Sequence, residues 1–147
     1  MSSHNAQIEF EPNRLKCVIV VDAELPAGML ANAAAIVGAS LGAGVPGIIG
    51  SSAIDGSGIS HPGLANVPLP VLQASRSALR SLRANALESR DMVVFDFPEP
   101  ARQAKTYQEY LERMIGMSSE SIDYVALGLY GPVSLVNKVT GQLKLLR

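Results

Sequence analysis

The densest set of chemistry-bearing residues lies in an irregular stretch, 50–68. It carries Ser51, Ser52, Asp55, Ser57, Ser60 and His61 among glycines at 50, 56, 58 and 63. Serine, histidine and aspartate in one segment invite a nucleophilic reading. A triad, however, is a spatial relation that sequence proximity does not supply. Long loops in compact domains serve either as binding elements or as solvated surface. Three readings therefore stand: turn chemistry in water, ligand contact through Asp55, Ser57 or His61, or nucleophilic catalysis. A second candidate pair, Asp22 and Glu24, follows the apolar run 16–22. A strand there would place both carboxylates at its C-terminal end. Arg76, Arg80 and Arg83 are spaced i, i+4, i+7 and share one helix face. They form either a fork for phosphate or carboxylate or a solvated face with salt bridges.

Four further features carry no chemistry. Gly38-Ala-Ser-Leu-Gly42 matches G-x-S-x-G, but Ser40 falls late in an alanine-rich helical stretch and not on a strand-to-helix elbow. Gly42-Ala-Gly-Val-Pro-Gly47 matches G-x-G-x-x-G, but it leaves a helix instead of entering one, so it reads as a cap and turn. His4 and His61 have no Cys, His or carboxylate partners at ligand spacing, so no metal and no cofactor is expected. Cys17 sits inside Cys17-Val-Ile-Val-Val21 and reads as an inert packed thiol.

These residues need a scaffold. At 147 residues the chain fits one domain, 1–147, with 1–15 as a loose N-terminal arm or an edge strand around Ile8-Glu-Phe10. Hydrophobic content of 48% against 17% charged residues gives a globular composition. A net charge of −1 disfavours nucleic acid as a partner. The N-terminus lacks a basic segment followed by an apolar one. No uninterrupted apolar run approaches a membrane span, so a soluble cytoplasmic protein is expected. Apolar runs at 16–22, 92–97 and 124–129 predict central strands covered on both faces. Val45 to Gly50 suggests another strand, and 68–73 an edge strand because of Pro70. Helices are expected at 27–41, well buried because apolar nearly all round, and from Ser75 to about Arg90. Another is expected across Tyr107, Tyr110, Leu111 and Met114, stopped by Gly116. Pro98 and Pro100 predict a turn. Alternation of short strands and helices predicts a three-layer α/β/α sandwich with a mixed, mostly parallel sheet of four or five strands.

The C-terminal stretch reads as a strand, Gly131-Pro132, a short helix, then Val139-Thr-Gly-Gln-Leu-Lys-Leu145. This order resembles the ending of the class II peptidyl-tRNA hydrolases. Lys16, Val18 to Val21, Leu25, Gly28 and the helix from Met29 to Ala35 resemble the family's opening. With Asn32 at the family's glutamine position, Gly28 falls at its catalytic lysine and Ala35 at its histidine. No register restores the lysine, because none occurs between Lys16 and Lys105. The family's Asp-Ala-Gly-x-Thr segment is replaced by Ser118-Ser-Glu-Ser-Ile-Asp123, which offers Glu120 and Asp123 instead. The resemblance thus implies the hydrolase fold in an uncharacterised bacterial branch without the hydrolase machinery, and a homodimer. The expected function is binding of a small molecule by Asp22, Glu24, Asn32, Asp55, Ser57 and His61. The alternatives are an active hydrolase or transferase with relocated catalytic residues, or a purely structural homodimer.

Overall fold

A computed structural model describes residues 14–147. The arm or edge strand expected at 1–15 lies outside these apart from its last two residues, and so does His4. A five-stranded sheet is built from β1 (Leu15–Asp22), β4 (Val71–Ala74), β5 (Val93–Pro98), β6 (Tyr124–Pro132) and β7 (Lys144–Leu145), in the order β5-β6-β1-β4-β7. A separate two-stranded hairpin, β2 (Ala53–Ile54) with β3 (Ser60–His61), rises from the segment read as irregular.

The expected parallel character is corrected. Only β1 and β4 run parallel, with Ile19 opposite Val71. The β1–β6, β5–β6 and β4–β7 pairs are antiparallel. A parallel pair requires a long crossover, but a long connection does not require a parallel pair. Helices between strands were therefore insufficient to fix direction.

Strands β1 and β6 form the spine, in register from Leu15–Pro132 to Val21–Ala126. Both are buried almost throughout, as their unbroken apolar runs predict. The third run is corrected: β5 is an edge strand, and its Val93 is exposed. An apolar run reports that helices cover both faces. It says nothing about whether both hydrogen-bonding edges are filled. Strand β4, expected at an edge, is interior, because the short β7 pairs on its outer side. Pro70 precedes the strand and contributes its carbonyl to Ile19 N–H. Val45 to Gly50 forms no strand, only a bridge from Ile49 to Ala65.

Helix α1 (Ala27–Gly44) covers one face, meeting Ile19, Val21 and Val125 through Ala33, Val37 and Leu41. Gly128 lets it approach closely. A Cβ there would lie 2.7 Å from Val37 Cγ1. Helices α2 (Arg76–Leu87) and α5 (Val133–Thr140) cover the other face through Leu79, Leu82, Ala86 and Val136. Ser75 caps α2 by accepting Ala78 N–H at 3.1 Å. The expected turn at Pro98 and Pro100 is instead a short helix, α3 (Glu99–Gln103). Proline suits a helix's first turn, where its missing N–H is no loss. Helix α4 (Tyr107–Ile115) follows, capped by Thr106 and closed at Gly116.

The expected burial of α1 is also corrected. Met29, Ala31, Asn32, Ala35 and Ile36 are exposed, and only one stripe reaches the sheet. By length and composition alone α1 is apolar enough to cross a membrane, a test that core helices of soluble proteins also pass.

Candidate active-site region at the sheet end

Because β1 and β4 are parallel, Asp22 and Ser75 emerge at the same end of the sheet, where α1 and α2 begin. Asp22 follows Val18 and Val20 in the alternation and faces the α2 side, 5% exposed. Its Oδ1 accepts Glu24 N–H at 3.0 Å, and its Oδ2 accepts Arg76 Nε at 2.6 Å. Arg76 Nη1 also donates to Glu99 Oε2 at 2.8 Å. Arg102 donates from Nε to both Glu99 oxygens, at 2.8 and 3.0 Å, and from Nη2 to Oε1. A buried carboxylate survives only with such partners. The Arg102 guanidinium, reinforced by Arg76, holds the Glu99 carboxyl below the ordinary glutamate range against the opposing effect of burial.

The arginine face of α2 therefore meets the sheet end residue by residue. Arg80 donates to the Glu120 and Ile122 carbonyls, with Asp123 3.7 Å away. Arg83 donates to Asp96 at 2.9 Å and lies 4.7 Å from the Tyr124 ring centroid. Of the two readings of this face, salt bridging is the one realised. Beside it opens a cleft of about 380 Å³ lined by Glu99, Gln103, Glu112, Arg113, Met117 and Asp123.

The sequence candidates fall into separate places. Glu24 contributes its backbone N–H to Asp22, and its side chain is exposed. Asn32 is exposed on α1. Asp55, Ser57 and His61 do come together, at the tip of the β2–β3 hairpin. Asp55 Oδ1 accepts the Ser57 and Ile59 N–H groups at 2.8 and 3.0 Å, and Oδ2 lies 2.9 Å from His61 Nε2. The His61 contact, then these two N–H groups, hold the Asp55 carboxyl below its ordinary value. Ser57 contributes its amide and not its hydroxyl, so this is turn chemistry and not a triad. The hairpin is rooted beside the last turn of α1, where Ile49 Cδ1 lies 3.9 Å from a Cβ placed at Gly42. Asp22 precedes the first turn, and 18 helical residues span about 27 Å. No hydrogen bond or ion pair joins hairpin and sheet end among the described residues. The single ligand site expected from Asp22, Glu24 and the loop is therefore not assembled within one chain.

Ser40 donates to Ile36 O within α1, as a helical serine does and an elbow nucleophile does not. Gly28 and Ala35 are both exposed, and nothing lies within 4 Å of a Cβ built at Gly28. No cluster of three potential metal ligands occurs among the described residues. The sequence reading missed Glu99 and Arg102. Their i, i+3 spacing directly after an apolar strand is the signal that points to them.

No curated protein matches the chain. Its fold is similar to that of a solved protein of unknown function from Agrobacterium tumefaciens strain C58. The TM-score is 0.81 at 23% identity, over 89% of this chain and 96% of that one. Residues 15–147 match the family described as protein of unknown function, DUF2000, and the chain belongs to that family.

Proposed function

We propose that this chain is a cytoplasmic, non-hydrolysing relative of the class II peptidyl-tRNA hydrolases that binds a small amine-bearing molecule in the cleft at the sheet end. The observation that carries this reading is the charge of the cleft lining. Glu99, Glu112 and Asp123 face one guanidinium, Arg113. Glu99 is neutralised by Arg76 and Arg102. Asp123 is exposed, with Arg80 at 3.7 Å, and Glu112 accepts the Gln108 amide at 3.3 Å. Arg113 is engaged by Glu109 at 2.8 Å. The carboxylates left with the weakest counter-charges thus point to a cationic ligand. Met117 supplies an apolar wall. Hydrolysis of peptidyl-tRNA needs positive charge for the developing oxyanion and a positioned acid or base, and Gly28 and Ala35 provide neither.

Amide NMR titration with putrescine, using glutarate as the opposite-charge control, tests the reading. Putrescine should shift Glu112, Met117 and Asp123 saturably, and Asp123→Asn with Glu112→Gln should weaken it at least tenfold. Shifts that ignore those substitutions, or a cleft that takes glutarate in preference, refute it. Peptidyl-tRNA should be hydrolysed no faster than in buffer. Robust turnover abolished at Asp22 or Asp55 would favour the active hydrolase or transferase.

A further inference from the structure

We propose a second ligand site, for an aromatic carboxylic acid, in the groove where α1 and the α3–α4 connection meet the outer edge of β5. The groove holds about 460 Å³. Small-molecule sites run from about 300 to 1,000 Å³ and are lined mainly by apolar and aromatic side chains, with a few placed polar groups. This groove has that make-up. Strand β5 contributes Phe97, α1 contributes Ile36, and α4 contributes Tyr107 and Tyr110. Ile36 and Tyr107 are exposed, so these walls are open to a ligand. Helix α3 divides the groove from the sheet-end cleft: Glu99 and Gln103 line the cleft, and Ala101 lines the groove.

The lining selects a ring. Tyr107 and Tyr110 meet edge to face, with centroids 5.5 Å apart and planes at 75°. A third ring extends such a pair by the same edge-to-face or offset geometry, and gains more than its buried area alone supplies. The pair is carried on a helix whose start is fixed, since Thr106 accepts Glu109 N–H at 3.1 Å. Little ordering is then left to be done when a ligand enters.

The charge balance selects an acid. Two carboxylates belong to this neighbourhood, and both are matched. Asp96, in the lining, accepts Arg83 Nε at 2.9 Å. Glu109 accepts the Lys105 backbone N–H at 2.9 Å and is paired with Arg113 at 2.8 Å. The Lys105 ammonium, also in the lining, has no ion-pair or hydrogen-bond partner among the described residues. Neither do the hydroxyls of Tyr107 and Tyr110. Burial, and then the Asp96 carboxylate, push the Tyr110 hydroxyl above its ordinary value, so it remains a donor. One unmatched ammonium and two phenolic donors beside a ring pocket suit a carboxylate attached to an aromatic ring. A ring-bearing amine would meet Lys105 as a like charge. The preference is thus opposite in sign to that of the sheet-end cleft.

Amide NMR titration of the full chain with 2-naphthoate, 2-naphthylmethylamine and cyclohexanecarboxylate tests this. Naphthoate should shift Ile36, Phe97 and Tyr110 saturably, with half-saturation at about 1 mM or below. The amine and the non-aromatic acid should each bind at least tenfold more weakly. Lys105→Glu should weaken naphthoate at least tenfold and strengthen the amine. Lys105 is exposed, and circular dichroism should show an unchanged fold. Naphthoate that gives no saturable shift at these residues overturns the proposal. So does naphthoate binding that Lys105→Glu leaves unchanged, and so does a native groove that prefers the amine, which would assign the site to Asp96. Equal binding of cyclohexanecarboxylate also overturns it, because the tyrosine pair would then select nothing. Asp123→Asn with Glu112→Gln should leave naphthoate binding as it is, so this site and the sheet-end cleft stand or fall separately.

Discussion

Replacing Asp22 by alanine removes the carboxylate that ties β1 to α2. Breaking a fully buried pair costs about 3–5 kcal/mol, and an exposed pair contributes about 0–1. This pair is intermediate, since the Asp22 side chain is 7% exposed and Arg76 is 32% exposed. Arg76 also keeps Glu99 after the substitution. The Glu24 N–H can turn to water, which limits the loss of that hydrogen bond. The expected cost is about 2 kcal/mol, a fall in Tm of roughly 4–8 °C for a chain of this length. Arg76→Met leaves the buried Asp22 carboxylate with only the Glu24 N–H, while Arg102 still holds Glu99, so the larger cost of about 3 kcal/mol is expected. Combined, the two should cost about 1 kcal/mol less than their sum, because they share one interaction. The chain has no tryptophan, so urea unfolding is followed by far-ultraviolet circular dichroism. Asp22→Ala within 0.5 kcal/mol of native, or costs that simply add, would refute the claim that this contact anchors the sheet end.

Gly128→Ala forces a methyl group against Val37 Cγ1 and Leu41, and should destabilise by about 1–3 kcal/mol in the same urea assay. Cys17 is buried and its thiol is pushed up to about 11, so native protein should resist iodoacetamide at pH 8 and label fully in urea. Glu99 has its pKa lowered on folding, so its contribution is fully present above the ordinary glutamate value and lost as pH falls through the depressed folded one. Urea midpoints measured from pH 6 down to pH 3 should therefore fall less steeply in Glu99→Gln than in the native chain.

The sequence by itself determined the spine, the caps and the dead motifs. Unbroken apolar runs reported β1 and β6, because a strand covered on both faces needs no alternation. Ser75 and Gly116 marked helix ends through local hydrogen bonding, which depends on a few neighbouring residues. Turn chemistry at Asp55 stood among the open sequence readings for the same reason: its partners Ser57, Ile59 and His61 all lie within six residues of it. Only the tertiary structure decided the rest. Strand direction and edge position follow from how the chain crosses itself, so β5 became an edge and β4 an interior strand. The contact of Asp22 with Arg76, and of Arg76 with Glu99, spans 54 and 23 residues, beyond any spacing rule. The outer side of α1 has the same composition as its buried stripe. Composition therefore could not tell which part faces the sheet and which is left open to water.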